Sequence, residues 1–266
     1  MLPVQFRKES FNPFHQLWNR FFFTQDRKLP TEINELTAQQ LTAWCLHDAE
    51  KKSIAESDIL LLDKILNLPP WVIRNLSAEQ VDVFTGKLKF LHEDFMLTKI
   101  LFRNFKAAGE IYYGPSDCFY NICFGEYIDV LRYLRQYNEE KNDFFLNALI
   151  AILWRPSKKN ADDGDIREKY NPAQLPARAA IFKKFRREVK TALLLQISGC
   201  LRFMQQENAA AFESSKSGDD NDPEELLLAM AGTKFGDYEK TFYEPAWRIL
   251  KEIKRIARVN TKKDVN

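Results

Sequence analysis

Histidine is scarce in this 266-residue chain, with three in all, and cysteine is hardly commoner at four. His15, His47 and His92 are scattered, and neither a C-x-x-C nor an H-E-x-x-H spacing occurs, so no set of zinc ligands is visible. Cys118 and Cys123 stand close in sequence without a nearby partner, and Cys45 and Cys200 lie far off, so all four read as small buried hydrophobes. Nine glycines and eleven prolines are too few for a turn-rich β-sandwich or a disordered chain. Long apolar runs are missing too. The longest, "FFLNALIAILW" from Phe144 to Trp154, falls short of the roughly 20 residues that a membrane helix needs. The opening "MLPVQFRKESF" has no apolar leader core, which sets the expectation of free thiols in a reducing cytoplasm. The formal charge is only +2, so the molecule as a whole has no strong field for phosphates or anionic lipid.

Large rings and periodic apolar residues are what the chain does have. Twenty-one Phe, nine Tyr and five Trp within a 45% apolar composition suffice for an aromatic core without staples. Residues 1–35 mix proline, rings and charge without clear period and read as an arm. Thr37 with Gln40, and Ser77 with Gln80, are capping-box pairs ahead of Leu41, Trp44 and Cys45, and of Val81, Phe84, Leu88 and Leu91. Ser57 and Asp58 precede a further helix that Pro69-Pro70 stops. Near residue 96 the period changes: Ile100 and Phe102 alternate with Lys99, Leu101 and Arg103, and "KAAG" makes a turn before Ile111–Tyr113, a short β-hairpin. Helices resume over "GEYIDVLRYLRQY", with Tyr127, Val130, Leu131, Leu134 and Tyr137 on one face, and over residues 144–154. The longest helix is expected over 177–206, most buried between Leu193 and Met204. A last helix carries Phe242, Ala246, Ile249, Ile253 and Ile256, flanked by Trp247 and Leu250. The fold class that follows is mainly α, a multi-helix bundle-like globule with one small β-hairpin. A division at 1–95 and 96–266 is expected, although one continuous domain fits the pattern as well.

Chemistry is thinly represented. "GEIYYGPS" over 109–116 has the glycine spacing of a phosphate-binding loop, but Pro115 stands where that loop needs lysine. "DDGD" at 162–165 lacks the alternating ligands and closing Glu of a calcium loop and reads as a surface turn. Neither Ser nor Cys occupies a nucleophile elbow. Glu126 and Asp129 could do acid–base work only in a cleft that sequence does not reveal. Two basic stretches, residues 178–190 and 248–263, read first as solvated helix faces. The expectation is a protein without catalytic, cofactor or metal site, and not an enzyme.

Five motifs together carry a resemblance: "YYGPSDCFYNICFGEYIDVLRYL", "FLNALIAILWRP", "GDIREKYN", "LLLQISGCLRFM" and "LAMAGTKFGDYEKT". They resemble a family carried by phages and prophages of Bacteroidetes-type bacteria in tail-assembly gene clusters. The likeness spans roughly residues 96–256 and departs at Cys118, Phe119 and Cys123. It brings no catalytic residues. It implies a tail assembly chaperone-like interaction protein, acting in the host cytoplasm, that engages the hydrophobic tape-measure protein before the tube polymerises. The contact elements expected are the aromatic arm before residue 30 and the final helix, through Phe242, Trp247, Ile249, Leu250, Ile253 and Ile256. Two other readings stay open: a structural protein of the virion tail or connector, and nucleic-acid binding through residues 183–190 and the basic tail.

Overall fold

Scarce glycine and apolar residues spaced by three and four dictate helix, and helix dominates. The computed structural model describes residues 2–6, 25–49, 63, 65, 76–91, 93, 96–158, 165–209 and 223–263. Among them are nine α-helices and five short strands. The fold is mainly α with a small antiparallel sheet. Among the described residues, no helix is long and apolar enough to cross a membrane. The chain divides into two compact units, Met1–Leu97 with Arg187–Ala192, and Thr98–Arg186 with Leu193–Asn266.

In the first unit, β1 (Leu2–Phe6) pairs antiparallel with β2 (Gln25–Leu29). The irregular arm expected over residues 1–35 thus contains a strand pair, which the polar "QDRKL" gave no alternation to reveal. The rest of the aromatic arm, 7–24, and most of the helix expected after Asp58 lie outside the described residues. Both capping boxes form. Thr37 N donates to Gln40 Oε1 at 2.8 Å and Gln40 N to Thr37 Oγ1 at 3.2 Å ahead of α1 (Ala38–Ala49). Ser77 and Gln80 do the same at 3.0 and 3.2 Å ahead of α2 (Ala78–Lys87). Leu41, Trp44 and Cys45 are buried on α1, whereas Leu88 and Leu91 beyond α2 are buried and Val81 and Phe84 only half so.

The second unit opens with the hairpin. Strand β3 (Asn104–Ala107) pairs with β4 (Glu110–Tyr113), and β4 pairs with β5 (Arg155–Pro156). The first strand therefore starts later than the alternation at Ile100 suggests. Ala108 (φ 49°) and Gly109 (φ 88°) make the two-residue turn, both with the positive φ that matches the twist of the strands. Phe105 stacks with Tyr112 and Trp154 and meets Phe182 and Phe185 edge-on, which fixes the sheet to the helices.

Helix α3 (Phe124–Glu140) is the hub, packing on α4 (Asp143–Leu153), α7 (Pro223–Met230), α8 (Tyr238–Tyr243) and α9 (Ala246–Lys263). Every residue of α4 from Leu146 to Leu153 is buried, matching its uninterrupted apolar sequence. The single long helix expected over 177–206 is two helices, α5 (Leu175–Phe182) and α6 (Arg187–Glu207). At the break Phe185 turns onto the rings of Phe105 and Phe182, and Arg186 takes an extended conformation (ψ 146°), so ring packing overrides helix propensity. The expected last helix is broken as well. Pro245 separates α8 from α9, because its ring cannot continue a helix whose amides bond four residues back.

Candidate functional site

The segment between the hairpin and α3, residues 114–123, binds backbone from three other parts of the unit. Gly114 is enclosed: a Cβ there would meet Trp154 Nε1 at 2.5 Å and Phe102 O at 3.0 Å, and that indole N–H donates to Phe102 O at 2.7 Å. Asp117 Oδ1 accepts the amide of Ile100 at 2.8 Å. Asn121 Oδ1 accepts both the amide and the hydroxyl of Ser116, at 2.7 and 3.0 Å. Cys118 and Phe119 adopt left-handed backbone, φ 54° and 59°, a cost that the fully buried Phe119 ring offsets. Further on, Phe124 N donates to Glu244 O at 2.8 Å and Ala246 N to Ile122 O at 3.0 Å, which seats this corner on the entry to α9.

The two cysteines expected to be far from Cys200 are not equally so. Thr98 O accepts the amide of Cys118 at 2.8 Å and the thiol of Cys200 at 3.3 Å, so those two residues share one carbonyl. All four cysteines are free thiols. Burial pushes the Cys123 and Cys200 thiols well above their ordinary value, which keeps them protonated and poor as nucleophiles or ligands. Among the described residues no group of His, Cys, Asp and Glu has the arrangement of a metal site. His15 and His92 lie outside the described residues.

The densest charge cluster gathers around Glu126, one turn into α3. Its Oε2 accepts the amide of Cys123 at 2.9 Å, while Oε1 accepts Arg155 Nη1 at 2.5 Å and Arg167 Nη1 at 3.1 Å. The side chains of Glu126, Arg155 and Arg167 are 3%, 2% and 0% exposed. Each guanidinium has further acceptors. Arg155 donates to Ile152 O and Glu168 O at 2.7 and 2.9 Å. Arg167 donates to Leu153 O and Asn121 O at 2.9 and 3.0 Å and pairs with Asp165 at 2.9 Å. Two carboxylates thus balance two guanidiniums. Burial pushes the Glu126 carboxyl up, but Arg167, Arg155 and the Cys123 amide outweigh it and hold the group below its ordinary value of 4.5. Asp165 is also held low, its burial outweighed by Arg167.

A second layer covers this cluster. Asp129, one turn on from Glu126, accepts the Tyr170 hydroxyl at 2.5 Å and pairs with Arg132. The Tyr170 ring lies 5.6 Å from the Arg155 guanidinium and stacks with Phe242 at 6.0 Å. Phe242 in turn packs directly over Gly125, where any Cβ would intrude on the ring. The arrangement is a closed electrostatic clasp that joins α3 to the end of α4, β5 and residues 165–170. An ionised carboxylate so completely occupied by donors works as a fastener.

The residues expected to meet a partner divide into two sets. Ile249 and Leu250 are fully buried, so they close the core and leave no surface for another molecule. Both belong to the first two turns of α9, the part that holds its buried apolar residues, and α9 packs on α3. Phe242, half-buried, belongs to α8 and the Tyr170 stack. Trp247, also half-buried, donates Nε1 to Cys118 O at 3.3 Å and packs against Tyr120 and Phe203. Ile253 is half-buried, and Ile256 is exposed at 39%, as is Val259 at 42%. The basic stretch 178–190 is likewise dispersed: Arg178 is buried and paired with Glu168, Lys190 is buried, and Lys183, Lys184, Arg186 and Arg187 are exposed.

Sequence reasoning singled out Glu126 but missed Arg155 and Arg167. The available signal was an arginine directly after an unbroken apolar helix, a place where a charge must find a buried partner. No protein-family model, curated protein or solved structure matches the chain.

Proposed function

We propose that this chain is an interaction protein of phage tail assembly, a chaperone-like factor that holds an apolar helical segment of the tape-measure protein before the tube forms. One observation carries the interaction reading. Helix α9 continues to Lys263, and among its side chains described as far as Val259 the last buried one is Glu252; beyond it Ile253, Ile256 and Val259 recur at spacings of three. A helix that outlasts its own core while keeping an apolar line suits helix-against-helix recognition. The resemblance of the motifs over residues 96–256 to a tail-assembly family supplies the identity of the partner. Action in the host cytoplasm follows from that role.

Co-expression with a tape-measure fragment tests the reading. The fragment is expected to stay soluble and to co-purify with this chain, and a fragment that aggregates as readily with the chain as without it would refute the role. Recovery of the chain in purified particles would instead favour a structural part of the tail.

A further inference from the structure

Beside the open part of α9, one carboxylate is shared by two exposed cations. Glu252 Oε2 accepts from Lys234 Nζ at 2.6 Å, and Arg255 donates Nη2 to Oε1 at 2.7 Å and Nε to Oε2 at 3.0 Å. Lys234 stands in the turn between α7 and α8. The cations are 57% and 65% exposed, the carboxylate only 10%. Hydrogen bonds from Arg255 and Lys234 hold the Glu252 carboxyl at about 2, so it is ionised throughout the physiological range. The trio therefore retains one positive charge that nothing within it neutralises. Glu252 is also the sole acidic residue of α9, among Arg248, Lys251, Lys254, Arg255 and Arg258.

Helical spacing puts this charge at the border of the apolar line. Ile256 follows Glu252 by four positions and Val259 follows Arg255 by four, so each aliphatic side chain neighbours one member of the trio. Glu252 fixes the two cations in place, which lowers the entropy that a bound carboxylate would otherwise have to remove. A second copy of α9 fits poorly, since two helices this basic repel. A lipid surface fits less well than a helix, because the exposed stretch of α9 from Ile256 to Val259 has no aromatic residue to enter the headgroup layer.

We infer that the occupant of this face is an acidic amphipathic helix of another protein, with an aliphatic side chain against Ile256 and Val259 and an Asp or Glu carboxylate bound jointly by Lys234 and Arg255. The inference rests on the interaction reading above and adds the charge of the partner segment. Steering by the basic face of α9 speeds the encounter, and the aliphatic contact sets the residence time.

The probe is a synthetic helical peptide of about 20 residues, three turns longer than the apolar line needs, with Leu at i, i+3 and i+7 and Glu on both flanks. Its counterpart has Lys for every Glu, and vesicles of phosphatidylglycerol form the third arm. Titration with the full chain is expected to show binding of the acidic peptide that weakens with salt, and little binding of the basic one. Lys234→Glu with Arg255→Glu should weaken the acidic peptide at least about tenfold and improve the basic one. Lys234→Met with Arg255→Gln, which introduces no new charge, should give a smaller loss of the same sign if the reversal variant fails to fold. Equal affinity for both peptides, an unchanged affinity in these variants, or binding to vesicles without binding to the acidic peptide would overturn the inference. A chain that binds the acidic peptide but not the tape-measure fragment would uphold the inference and refute the phage role. A fragment held equally by wild type and charge variants would do the reverse.

Discussion

Two ion networks in the second unit use the same ingredients, one glutamate between two cations, to opposite ends. Glu126 with Arg155 and Arg167 is sealed, and the further hydrogen bonds of the two guanidiniums go to backbone carbonyls and to Asp165. Glu252 is buried too, but its partners Lys234 and Arg255 stand in solvent and leave positive charge over. Burial decides the difference. A sealed pair that loses one member leaves a charge stranded in low dielectric, whereas a surface pair that loses one member is rescued by water. The first network therefore maintains the fold, and the second is free to take part in recognition.

The largest loss of stability is expected at the sealed glutamate. Glu126→Gln removes the carboxylate that two buried guanidiniums share, leaving Asp165 on Arg167, and should cost about 3–5 kcal/mol, read by thermal or urea unfolding. The same site gives a pH signature. Because the folded carboxyl lies below its ordinary 4.5, the stability it contributes is fully present above that pH and is lost as the pH falls from there through the depressed folded value. Asp165 adds a loss of the same sign below its ordinary 3.8. Wild type should thus lose stability below pH 4.5 more steeply than Glu126→Gln does, and parallel curves there would show that the clasp does not govern acid sensitivity.

The core around the clasp comes next. Leu149→Ala, in the middle of α4 and fully buried, should cost about 2–5 kcal/mol by unfolding, and a loss below half a unit would contradict its enclosure. Gly125→Ala forces the Phe242 ring out of its stack on Tyr170 and should cost about 1–3 kcal/mol, with loss of the near-ultraviolet circular dichroism of those rings.

Much of this architecture is legible in the sequence, and the parts that are not share a cause. Capping boxes at Thr37 and Ser77 and the apolar run of α4 are local signals: residues a few positions apart decide them, and the structure places them as the spacing requires. Errors arise where tertiary contacts override local preference. The break between α5 and α6 follows from Phe185 reaching rings on the hairpin, whereas the break at Pro245 is a local proline effect that the pairing of Glu244 and Ala246 with Phe124 and Ile122 then holds in place. The clasp was invisible because Glu126, Arg155 and Arg167 are brought together by α3, β5 and a loop, and no spacing records that. On α9 the apolar stripe is readable, but which of its members are buried is not, since Ile249 and Leu250 complete the core while Ile256 stays exposed.

At the open network the expected effect on stability is the smallest. Glu252→Gln should move the unfolding midpoint far less than Glu126→Gln does, since both of its cations remain hydrated. A cost comparable to that of Glu126→Gln would erase the distinction between the two networks.

The most direct test concerns Ile256, the exposed aliphatic residue beyond the last core contact of α9. Ile256→Asp is measured by thermal melting and by co-expression with the tape-measure fragment. The melting temperature should stay within a degree or two of wild type, because an exposed substitution rarely moves stability by more than about half a kcal/mol, and the soluble complex should be lost. A variant that melts far lower, or one that remains folded and still holds the fragment as wild type does, would contradict the claim that α9 extends past its core to meet a partner.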